Sequence, residues 1–288
     1  MGGKIKAKKT RLIAFQGEPG AYSELAAFEY FAERVNSLPC QTFEDVFQSV
    51  VSGKSSHGLI PVENSLAGSI HRNFDLMLRH NLHIVGEYHL RVIHCLMALP
   101  GTNLGEIQRV FSHPQALAQC EGNLMRMGVL QEAKADTAGS ARLIREKGDK
   151  TTGALASKRA AEVYGLDILV EHMEDNPANF TRFLVMSKEP LSVKGADDGD
   201  YKTSIVFNLS NKPGALFKAL SVFALRDIDL TKIESRPIQG QPWEYMFYVD
   251  FAGYVQDLNC KRALEHLAEL APFLRMLGSY PRHYLNTP

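Results

Sequence analysis

Short apolar runs alternate with amphipathic stretches along most of the chain. Leu12–Phe15 predicts a strand, which is followed by the turn Gly17–Gly20 and by a helix-period stretch that continues to Val35. The same order recurs, and a second series of such units begins after Pro100. Because repeated strand–helix units fold into mostly parallel sheets covered by helices, the pattern predicts an α/β fold with two similar lobes.

The pattern changes after a polar segment, residues 187–200, whose Gly and Asp content predicts a linker. Beyond it the elements follow in the order strand, helix, strand, strand, helix, strand over about 80 residues, as in a ferredoxin-like split βαβ unit. One face or edge of such a sheet is usually covered by a second copy, which predicts a homo-oligomer. The predicted boundaries are 11–188 for the first part, with lobes 11–90 plus 178–188 and 91–177, and 202–284 for the second.

Composition and charge exclude several classes of partner. The 288 residues carry 32 Lys and Arg against 32 Asp and Glu, in balance in both parts of the chain, so no basic surface for a nucleic acid is predicted. The longest apolar run, Val92–Leu99, contains His94 and is far shorter than the roughly 18 residues of a membrane span. We therefore expect a small-molecule ligand and neither nucleic acid nor membrane as partner.

The cysteines indicate a reducing compartment. Cys40, Cys95, Cys120 and Cys260 are far apart and form no CxxC pair, which favours neither a disulfide framework nor a zinc site. Four lysines among the first nine residues have no apolar segment after them, so the start of the chain lacks the pattern of a secretory signal. These features predict a cytoplasmic protein without a metal site and with a solvated N-terminal tail.

Four segments rich in small and hydroxyl residues lie where a predicted strand passes into a predicted helix. Helix N-termini expose unpaired N–H groups with a partial positive charge, so several of them at one cleft would bind a small carboxylate. Taken singly, Ser23, Ser69, Ser112 and Asp136 are better explained as helix caps. The segments are Gly17–Ser23, Glu63–Ser69, Ser112–Gln115 and Asp136–Ala141.

Motifs of the commoner enzyme classes are missing from the sequence. It contains no GxGxxG, no Walker lysine, no GxSxG and no HExxH, so dinucleotide, nucleoside triphosphate and metal-hydrolase chemistry are not indicated. The helical spacing of Cys120 with Leu117 and Leu124 favours core packing over a nucleophilic role. His113, at a turn before Pro114, favours a structural role. No cofactor is predicted.

Eight short motifs resemble, in order, those of the prephenate dehydratases with their C-terminal ACT domain. Two of them, NKPGAL and ESRP, are similar to the ligand-binding motifs of the ACT domain. The resemblance covers about Leu12 to Tyr280 and implies a bilobal catalytic fold similar to type II periplasmic binding proteins, with the site between the lobes. The motifs of the catalytic part are GEPGAYSELA, IPVENSLAGSI, SHPQALAQC, DTAGSA, ALASKRAAEVYGL and NPANFTRFLV.

The resemblance also implies the site residues. Thr181, Glu63 and Asn64 would be catalytic, with the Thr181 hydroxyl as a hydrogen-bond donor to the departing oxygen. Glu63 would orient its neighbours, because its carboxylate repels a dianionic substrate. Arg182 would bind a substrate carboxylate through its guanidinium fork. Further substrate contacts are expected at Ser23, Ser65, Gln119, Cys120, Thr137 and Phe183.

The implied reaction is the decarboxylative dehydration of prephenate to phenylpyruvate, CO2 and water in L-phenylalanine biosynthesis. It needs no cofactor, because loss of CO2 and hydroxide makes the ring aromatic. Two alternatives stay open. In the first alternative the substrate is arogenate, which carries an ammonium where prephenate has a keto group. In the second the chain is a non-catalytic binding protein for a small carboxylate.

The ACT resemblance implies feedback inhibition by L-phenylalanine. NKPGAL would lie at a strand-to-helix turn whose N–H groups receive the carboxylate of the amino acid, and ESRP would close the pocket. A homodimer or homotetramer, formed through the ACT and catalytic domains, is expected. The residues expected at the allosteric site are Asn211, Pro213, Gly214, Ala215, Leu216, Glu234, Ser235 and Arg236.

Overall fold

The computed structural model describes residues 11–32, 35–191 and 200–285. The predicted N-terminal tail and most of the predicted linker lie outside the described residues. The elements of the first part are, in chain order, β1 (Arg11–Gln16), α1 (Tyr22–Phe31), β2 (Val35–Cys40), α2 (Phe43–Val51), β3 (His57–Asn64), β4 (Gly68–Ser69), α3 (His71–Arg79), β5 (His83–Arg91), β6 (Cys95–Ala98), a 3-10 helix (Leu104–Glu106), β7 (Arg109–Ser112), α4 (Pro114–Gln119), α5 (Glu121–Met127), β8 (Leu130–Ala133), α6 (Thr137–Lys147), β9 (Thr152–Ala156), α7 (Lys158–Tyr164), β10 (Asp167–Val170) and β11 (Phe180–Ser187).

The first sheet has the strand order β2-β1-β3-β11-β5, with the short strand β4 paired to β3. β1 pairs in parallel with β2 and with β3, and its residues Ile13, Ala14 and Phe15 are fully buried. A continuous apolar run of this kind is typical of a parallel strand covered on both faces. The prediction that the first helix continues to Val35 is wrong, because α1 ends where Ala32 adopts a positive φ of 55° and the chain returns as β2.

The second sheet has the order β10-β6-β9-β7-β8 and buries both of its faces. Along β6, Cys95 and Met97 belong to one apolar cluster, with α6 and α7, whereas Leu96 and Ala98 belong to another, with α4 and α5. Neighbouring residues of a strand point to opposite faces, so this alternation places a helical layer on each side of the sheet. The predicted α/β fold class is confirmed.

The C-terminal part has the predicted order of elements. Its sheet has the order β13-β14-β12-β15, with every pairing antiparallel. Apolar side chains of α8 and α9, among them Ala219 and Leu267, pack with Phe207 and Val249 of the sheet in one cluster. The elements are β12 (Tyr201–Asn208), α8 (Ala215–Ala224), β13 (Leu230–Pro237), β14 (Tyr245–Ala252), α9 (Leu258–Leu270) and β15 (Phe273–Pro281).

The chain divides into two compact units. One is Met1–Asn73 with Tyr88–Phe183, and the other is Phe74–Glu87 with Leu184–Pro288. Phe74–Glu87 joins the second unit because side chains of the C-terminal sheet bind its backbone carbonyls: Tyr248 donates to Phe74 at 2.9 Å and Arg275 to His80 at 2.9 Å. The sequence analysis placed this segment in the first part, and the boundaries of the two functional domains stay a prediction. Among the described residues, no helix is long and apolar enough to cross a membrane.

The turn before α1 is packed tightly against α7. Gly20 has a φ of +90°, and a Cβ there would lie 2.7 Å from Cα of Ala160. The Ser157 hydroxyl donates to the Gly20 carbonyl at 2.5 Å, and the Tyr164 hydroxyl donates to the Pro19 carbonyl at 2.9 Å. These contacts fix the position of the turn relative to the second sheet.

Gly20→Ala should therefore destabilise the protein. The new methyl group overpacks against backbone, which typically costs about 1–3 kcal/mol, in addition to the strain of a left-handed alanine. Gly53→Ala is the matched control, because Gly53 has a φ of +76° but nothing within 4 Å of an added Cβ. Calorimetric melting of both variants measures the difference, and equal losses would contradict the packing argument.

Candidate active site

A cavity of about 250 Å³ lies within the first compact unit. Its lining comes from the carboxyl ends of β1 and β3, from β11, and from the N-terminal parts of α1 and α6 together with α4. Ligands of open α/β sheets bind outside the carboxyl ends of strands, where turns and helix N-termini meet. The cavity has the position expected of a binding site for this fold.

Six of the predicted catalytic and substrate-binding residues line this cavity. They come from distant parts of the chain, and the lining joins residues of the first sheet with residues of the segments around the second sheet. Glu63, Ser65, Cys120 and Arg182 are absent from the described lining. The residues that line it are Ser23, Asn64, Gln119, Thr137, Thr181 and Phe183.

Asn64 is held in one orientation by the backbone. Its Oδ1 accepts hydrogen bonds from the N–H groups of Leu66 at 3.1 Å and Ala67 at 2.9 Å. Backbone N–H groups only donate, so this end of the side chain must be the oxygen and the other end the NH2 group. Nδ2 therefore donates, to Oδ1 of Asn179 at 2.8 Å and to Oγ1 of Thr181 at 3.0 Å, with the Phe180 carbonyl as a further acceptor at 3.2 Å.

The direction of the next hydrogen bonds follows from this orientation. Because Oδ1 of Asn179 accepts from Asn64, Nδ2 of Asn179 must donate, and it does so to Oε1 of Gln119 at 3.1 Å. Oε1 of Gln119 also lies 2.9 Å from Nε2 of His94, which must then carry a hydrogen. Nδ1 of His94 lies 2.7 Å from the hydroxyl of Tyr22. We call these six side chains, from Thr181 to Tyr22, the amide network.

Two donors of the amide network are left for a ligand. The Thr181 hydroxyl accepts from Asn64, and among the described residues no protein acceptor takes its own hydrogen. Nε2 of Gln119 likewise has no acceptor in the described part of the chain, because its Oε1 faces Asn179 and His94. Both residues line the cavity, so the network presents a hydroxyl and an amide donor to whatever binds there.

The predicted helix N-termini meet at the cavity. α1, α4 and α6 begin there; Asp136 caps α6, with its carboxylate accepting from Gly139 N–H at 2.6 Å, whereas Ala21 and His113 stand at the N-cap positions of α1 and α4. The fourth segment, Glu63–Ser69, runs from β3 through the β3–β4 hairpin toward α3, and Ile70, directly before α3, lines the cavity. Within the hairpin, Oδ1 of Asn64 accepts from backbone N–H groups of the turn, as an N-cap would.

The described lining of the cavity contains no fixed cation. No Lys or Arg is among its described lining residues, whose titratable members are Tyr22, His94, His113 and Asp136. Burial lowers the pKa of His94, although its hydrogen bond to Gln119 and the nearby Glu174 carboxylate raise it. Burial also raises the pKa of Tyr22 well above its ordinary value, so its hydroxyl keeps its proton. Amides, hydroxyls and first-turn N–H groups must supply most of the binding.

Arg182 is absent from the described lining of the cavity, and its role in binding a substrate carboxylate stays a prediction. Thr181 and Phe183 line the cavity, and since neighbouring residues of a strand point to opposite faces, Arg182 of the same strand points away from it. Its side chain is buried on that opposite face, with 7% of the residue exposed.

Cys120, Glu63 and Ser65 are also placed outside the cavity. Cys120 is fully buried in the apolar cluster with Leu117, and burial raises the pKa of its thiol far above the ordinary value. Glu63, next to Asn64 on β3, is partly buried without lining the cavity. The Ser65 hydroxyl donates to the Ala178 carbonyl at 2.6 Å and accepts from the Phe180 N–H at 2.9 Å, so it ties the hairpin to the start of β11.

Sequence reasoning missed three members of the amide network, which are Tyr22, His94 and Asn179. Tyr22 and Asn179 stand inside the quoted motifs but were not singled out. His94 interrupts the apolar run Val92–Leu99, and a polar residue in a buried run signals a hydrogen-bonding role. Within the described residues, no group of three or more His, Cys, Asp or Glu side chains is arranged to hold a metal ion.

A second cavity, of about 120 Å³, lies in the C-terminal unit at the start of α8. Of the predicted allosteric residues, Asn211, Ala215 and Leu216 line it, whereas Pro213 and Gly214 are absent from its lining. Gly214 caps α8 with a φ of 77°. Aromatic residues that were not predicted, Trp243, Tyr245 and Phe247, form much of the described wall.

The ESRP segment is placed away from this cavity. Glu234, Ser235 and Arg236 all lie on β13 and do not line it. Arg236 donates to the Asp75 carboxylate at 3.0 Å, and Lys232 lies 3.7 Å from Glu234. The expected closure of the pocket by ESRP is therefore not seen in this unit.

These features define a class of protein: an α/β unit with a binding cavity at the carboxyl ends of its strands, followed along the chain by a βαββαβ unit. The profile of the prephenate dehydratase family matches residues 13–191, and that of the ACT domain matches residues 203–265. The chain belongs to the prephenate dehydratase family and carries its C-terminal ACT domain. It is therefore a lyase, and its family resemblance is confirmed.

Named relatives agree with this assignment. "Arogenate dehydratase 2" of Petunia hybrida is 48% identical over 283 residues, covering 93% of this chain and 71% of the relative. "Arogenate dehydratase/prephenate dehydratase 2, chloroplastic" of Arabidopsis thaliana is 49% identical over 278 residues, covering 93% of this chain and 72% of the relative.

Solved structures show the same fold. A prephenate dehydratase from Arthrobacter aurescens, in complex with L-Phe, is 31% identical with a TM-score of 0.85, covering 94% of this chain and 90% of that one. A protein described as a novel type of quorum quenching acylase is 38% identical with a TM-score of 0.89, covering 96% and 100%.

The prediction of a cytoplasmic protein is wrong. The Arabidopsis relative is named as chloroplastic, which contradicts it. The inference rested on the cysteines, and the structure has all four of them as free thiols. Free thiols report only a reducing environment, and more than one compartment provides one.

Two substitutions test the site, one at a lining residue of α4 and one at a residue of β11 that is absent from the lining. Gln119→Leu removes a donor to a charged ligand, worth about 1.5–3 kcal/mol, together with the acceptor of Asn179 and His94, and should lower kcat/KM for prephenate by at least ten- to 100-fold. Arg182→Lys should leave KM within about twofold of the wild-type value, because the guanidinium lies on the opposite face of the strand. Steady-state kinetics of both variants decide. A large rise of KM in Arg182→Lys would place Arg182 back in the site.

Proposed function

We propose that this chain converts prephenate into phenylpyruvate, CO2 and water, with Thr181 acting on the departing hydroxyl. The observation that carries the proposal is the hydrogen bond from Nδ2 of Asn64 to Oγ1 of Thr181, 3.0 Å long. Because Asn64 occupies the acceptor side of the hydroxyl, the hydrogen of Thr181 is directed away from it and toward the cavity. A preorganised donor of this kind stabilises an oxygen on which negative charge develops.

The reaction balances without a cofactor. The bond from C1 of the ring to the carboxylate carbon breaks, its electron pair enters the ring, and CO2 leaves. The bond from C4 to the hydroxyl oxygen then breaks with its electron pair on oxygen, and the ring becomes aromatic. The hydroxide takes a proton to become water, and any proton drawn through the Thr181 hydroxyl is replaced from solvent. The enzyme has to orient the substrate and stabilise the departing oxygen.

Neutral donors bind the carboxylates in this proposal. Nε2 of Gln119, the hydroxyls of Ser23 and Thr137, and the first-turn N–H groups of α1 and α6 surround the cavity. First-turn N–H groups have no intrahelical partner and carry the positive end of the helix dipole. Phe183 lines the same space and offers an apolar surface to the ring. Asn64 acts as a positioning residue for Thr181.

Arogenate is the second candidate substrate, favoured by the names of both plant relatives. Its ammonium group requires an acceptor, and Asp136 is the acidic residue of the described lining. Comparison of kcat/KM for arogenate and prephenate in the wild-type protein decides between them. Asp136→Asn, which keeps the cap on α6, should weaken arogenate turnover selectively if arogenate is the substrate.

Acylase activity, which the description of one structural neighbour names, has less support in this cavity. It needs an activated nucleophile, usually a hydroxyl hydrogen-bonded to a base. Among the described residues, the hydroxyls of Ser23, Thr137 and Thr181 make no hydrogen bond to a histidine. The Tyr22 hydroxyl does, but burial raises its pKa far above the range of a nucleophile at neutral pH.

Removal of the Thr181 hydroxyl tests the main proposal. Thr181→Ala should lower kcat about 100- to 1000-fold, the usual loss for one donor at a developing negative charge. Thr181→Ser, which keeps the hydroxyl, is the matched control and should retain most of the activity. Formation of phenylpyruvate is followed by its absorbance in alkali, and a loss below tenfold in Thr181→Ala would remove Thr181 from the mechanism.

We further propose that L-phenylalanine binds at the 120 Å³ cavity of the ACT domain and inhibits the enzyme. The solved relative from Arthrobacter aurescens binds L-Phe, and this cavity combines the predicted residues Asn211, Ala215 and Leu216 with an aromatic wall. The first turn of α8 offers N–H groups to a carboxylate. The other predicted residues, Pro213, Gly214, Glu234, Ser235 and Arg236, act in this proposal only through the shape of the turn and of β13.

Filling this cavity should abolish the regulation. Ala215→Leu places a larger side chain in the space of the ligand, so inhibition by L-phenylalanine, expected to change apparent prephenate affinity about 5- to 150-fold, should disappear while basal activity remains. Lys218→Leu, on the exposed side of the same helix, is the control and should stay sensitive. Calorimetric titration with L-phenylalanine and inhibition curves measure both, and full inhibition of Ala215→Leu would exclude this cavity.

We propose a homo-oligomer formed in part through the ACT domain. Large apolar side chains are exposed there, including Phe217 at 77%, Trp243 at 76% and Ile233 at 47%. Apolar side chains grouped on a surface mark an interaction site. Light scattering on the full chain distinguishes a dimer or tetramer from a monomer.

A further inference from the structure

One member of the amide network, His94, can become a cation and keep both of its side-chain hydrogen-bond partners, Gln119 and Tyr22. The proposed substrate carries two carboxylates, so this inference rests on the proposed function. Among the described lining residues there is no Lys or Arg to balance that charge. The described lining contains two imidazoles, those of His94 and His113, and imidazole is the side chain whose ordinary pKa lies nearest neutral pH.

The surroundings of His94 accommodate both protonation states. Nε2 carries a hydrogen in each state, because Oε1 of Gln119 accepts from it at 2.9 Å and also accepts from Asn179. Nδ1 faces the Tyr22 hydroxyl at 2.7 Å, and that hydroxyl also lies 2.9 Å from the Ile93 carbonyl oxygen. In neutral His94, Tyr22 donates to Nδ1. In the cation, Nδ1–H donates to the Tyr22 oxygen, and the Tyr22 hydrogen turns to Ile93.

His113 lacks this freedom. Its Nδ1 accepts from the backbone N–H of Gln115 at 3.2 Å and caps α4. A backbone N–H cannot rotate away or become an acceptor, so protonation of Nδ1 would oppose two donors and break the cap. The hydrogen-bond partners therefore allow protonation of Nδ1 in His94 and oppose it in His113.

The charged and titratable groups around His94 come from several segments. The Glu174 carboxylate accepts from the His94 backbone N–H at 2.9 Å and lies 3.2 Å from Nδ1 of the more exposed His172. The Cys95 and Cys120 thiols and the Tyr22 hydroxyl are kept protonated by burial, which raises the pKa of Cys95 to about 11. His94 is only 2% exposed, so without a ligand its neutral form is favoured.

We propose that His94 is neutral in the free enzyme and takes up a proton when the dicarboxylate substrate binds, so that it supplies the positive charge that the cavity otherwise lacks. Two additional negative charges next to a buried imidazole favour its cationic form. The proton reaches Nδ1, and the charge acts on the substrate through the cavity and through the polarised amide of Gln119. His94 acts as a positioning residue with a charge that depends on the ligand.

The sign of the pH dependence follows from linkage. Where the pH lies between the pKa of His94 in the free enzyme, which is below its ordinary value, and its higher pKa in the complex, binding requires uptake of a proton. In that window KM rises with pH, about tenfold in total for each unit by which the substrate raises the pKa. Above the pKa of the complex, KM becomes constant again. The effect falls on KM rather than kcat, because the total charge of the substrate is unchanged in the transition state and, in this proposal, the His94 charge is not paired with the carboxylate that leaves.

The test is the pH profile of KM and kcat for prephenate from pH 6 to 8.5 in three proteins. Wild type should show KM rising with pH. His94→Gln, which keeps a donor near the position of Nε2 but does not titrate, should show a higher KM that is flat across the range. His113→Gln, the matched control, should keep the rise. Proton uptake on binding of a non-reacting dicarboxylate, cyclohexane-1,4-dicarboxylate, to wild type, from calorimetry in phosphate and in Tris, gives an independent measurement.

The outcomes are distinct. A KM of wild type that is constant with pH, or a rise that survives in His94→Gln, overturns the proposal, as does loss of the rise in His113→Gln alone. If His94→Gln does not fold, His94→Asn takes its place, and absence of proton uptake in the wild-type calorimetry overturns the proposal by itself. Formation of phenylpyruvate by wild type tests the proposed function separately, so turnover with a flat KM profile would leave the function intact and exclude only the role of His94.

Discussion

The active site depends on one backbone interaction, the pair of hydrogen bonds from the N–H groups of Leu66 and Ala67 to Oδ1 of Asn64. A primary amide is nearly symmetric in shape, so nothing in its packing fixes which end donates. Two backbone donors at one end fix it completely. Every other direction in the amide network, up to the hydrogen on Nε2 of His94, is a consequence of that single orientation.

This dependence explains why the cavity is assembled from distant segments. Asn64 and Asn179 are separated by 115 positions along the chain, and Gln119 and Asn179 by 60. Each amide has one accepting and one donating end, so a chain of amides carries an orientation from one strand end to the next without any net charge. Buried amides that are fully paired cost little, whereas a reversed member would oppose like groups and leave a donor unsatisfied.

The sequence predicted the elements better than it predicted which side chains face the site. Consecutive residues of a motif were all assigned to the site, although consecutive residues of a strand point to opposite faces of the sheet. Thr181 and Phe183 therefore line the cavity, and Arg182 between them does not. Cys120 follows Gln119 in its motif, but its side chain is buried in the apolar cluster with Leu117. His94 could be suspected from its place in an apolar run, but its partner Gln119 is brought to it only by the tertiary fold.

The lack of fixed cations in the described lining suits the chemistry of decarboxylation. A buried guanidinium paired with the carboxylate that leaves as CO2 would stabilise the substrate, in which that group is charged, more than the transition state, in which the charge has moved into the ring and onto the departing oxygen. Binding that is stronger in the ground state than in the transition state slows a reaction. Donors such as the Thr181 hydroxyl, placed where charge appears rather than where it starts, avoid this cost. The described lining of the cavity has this character, because it offers amide and hydroxyl donors and no Lys or Arg.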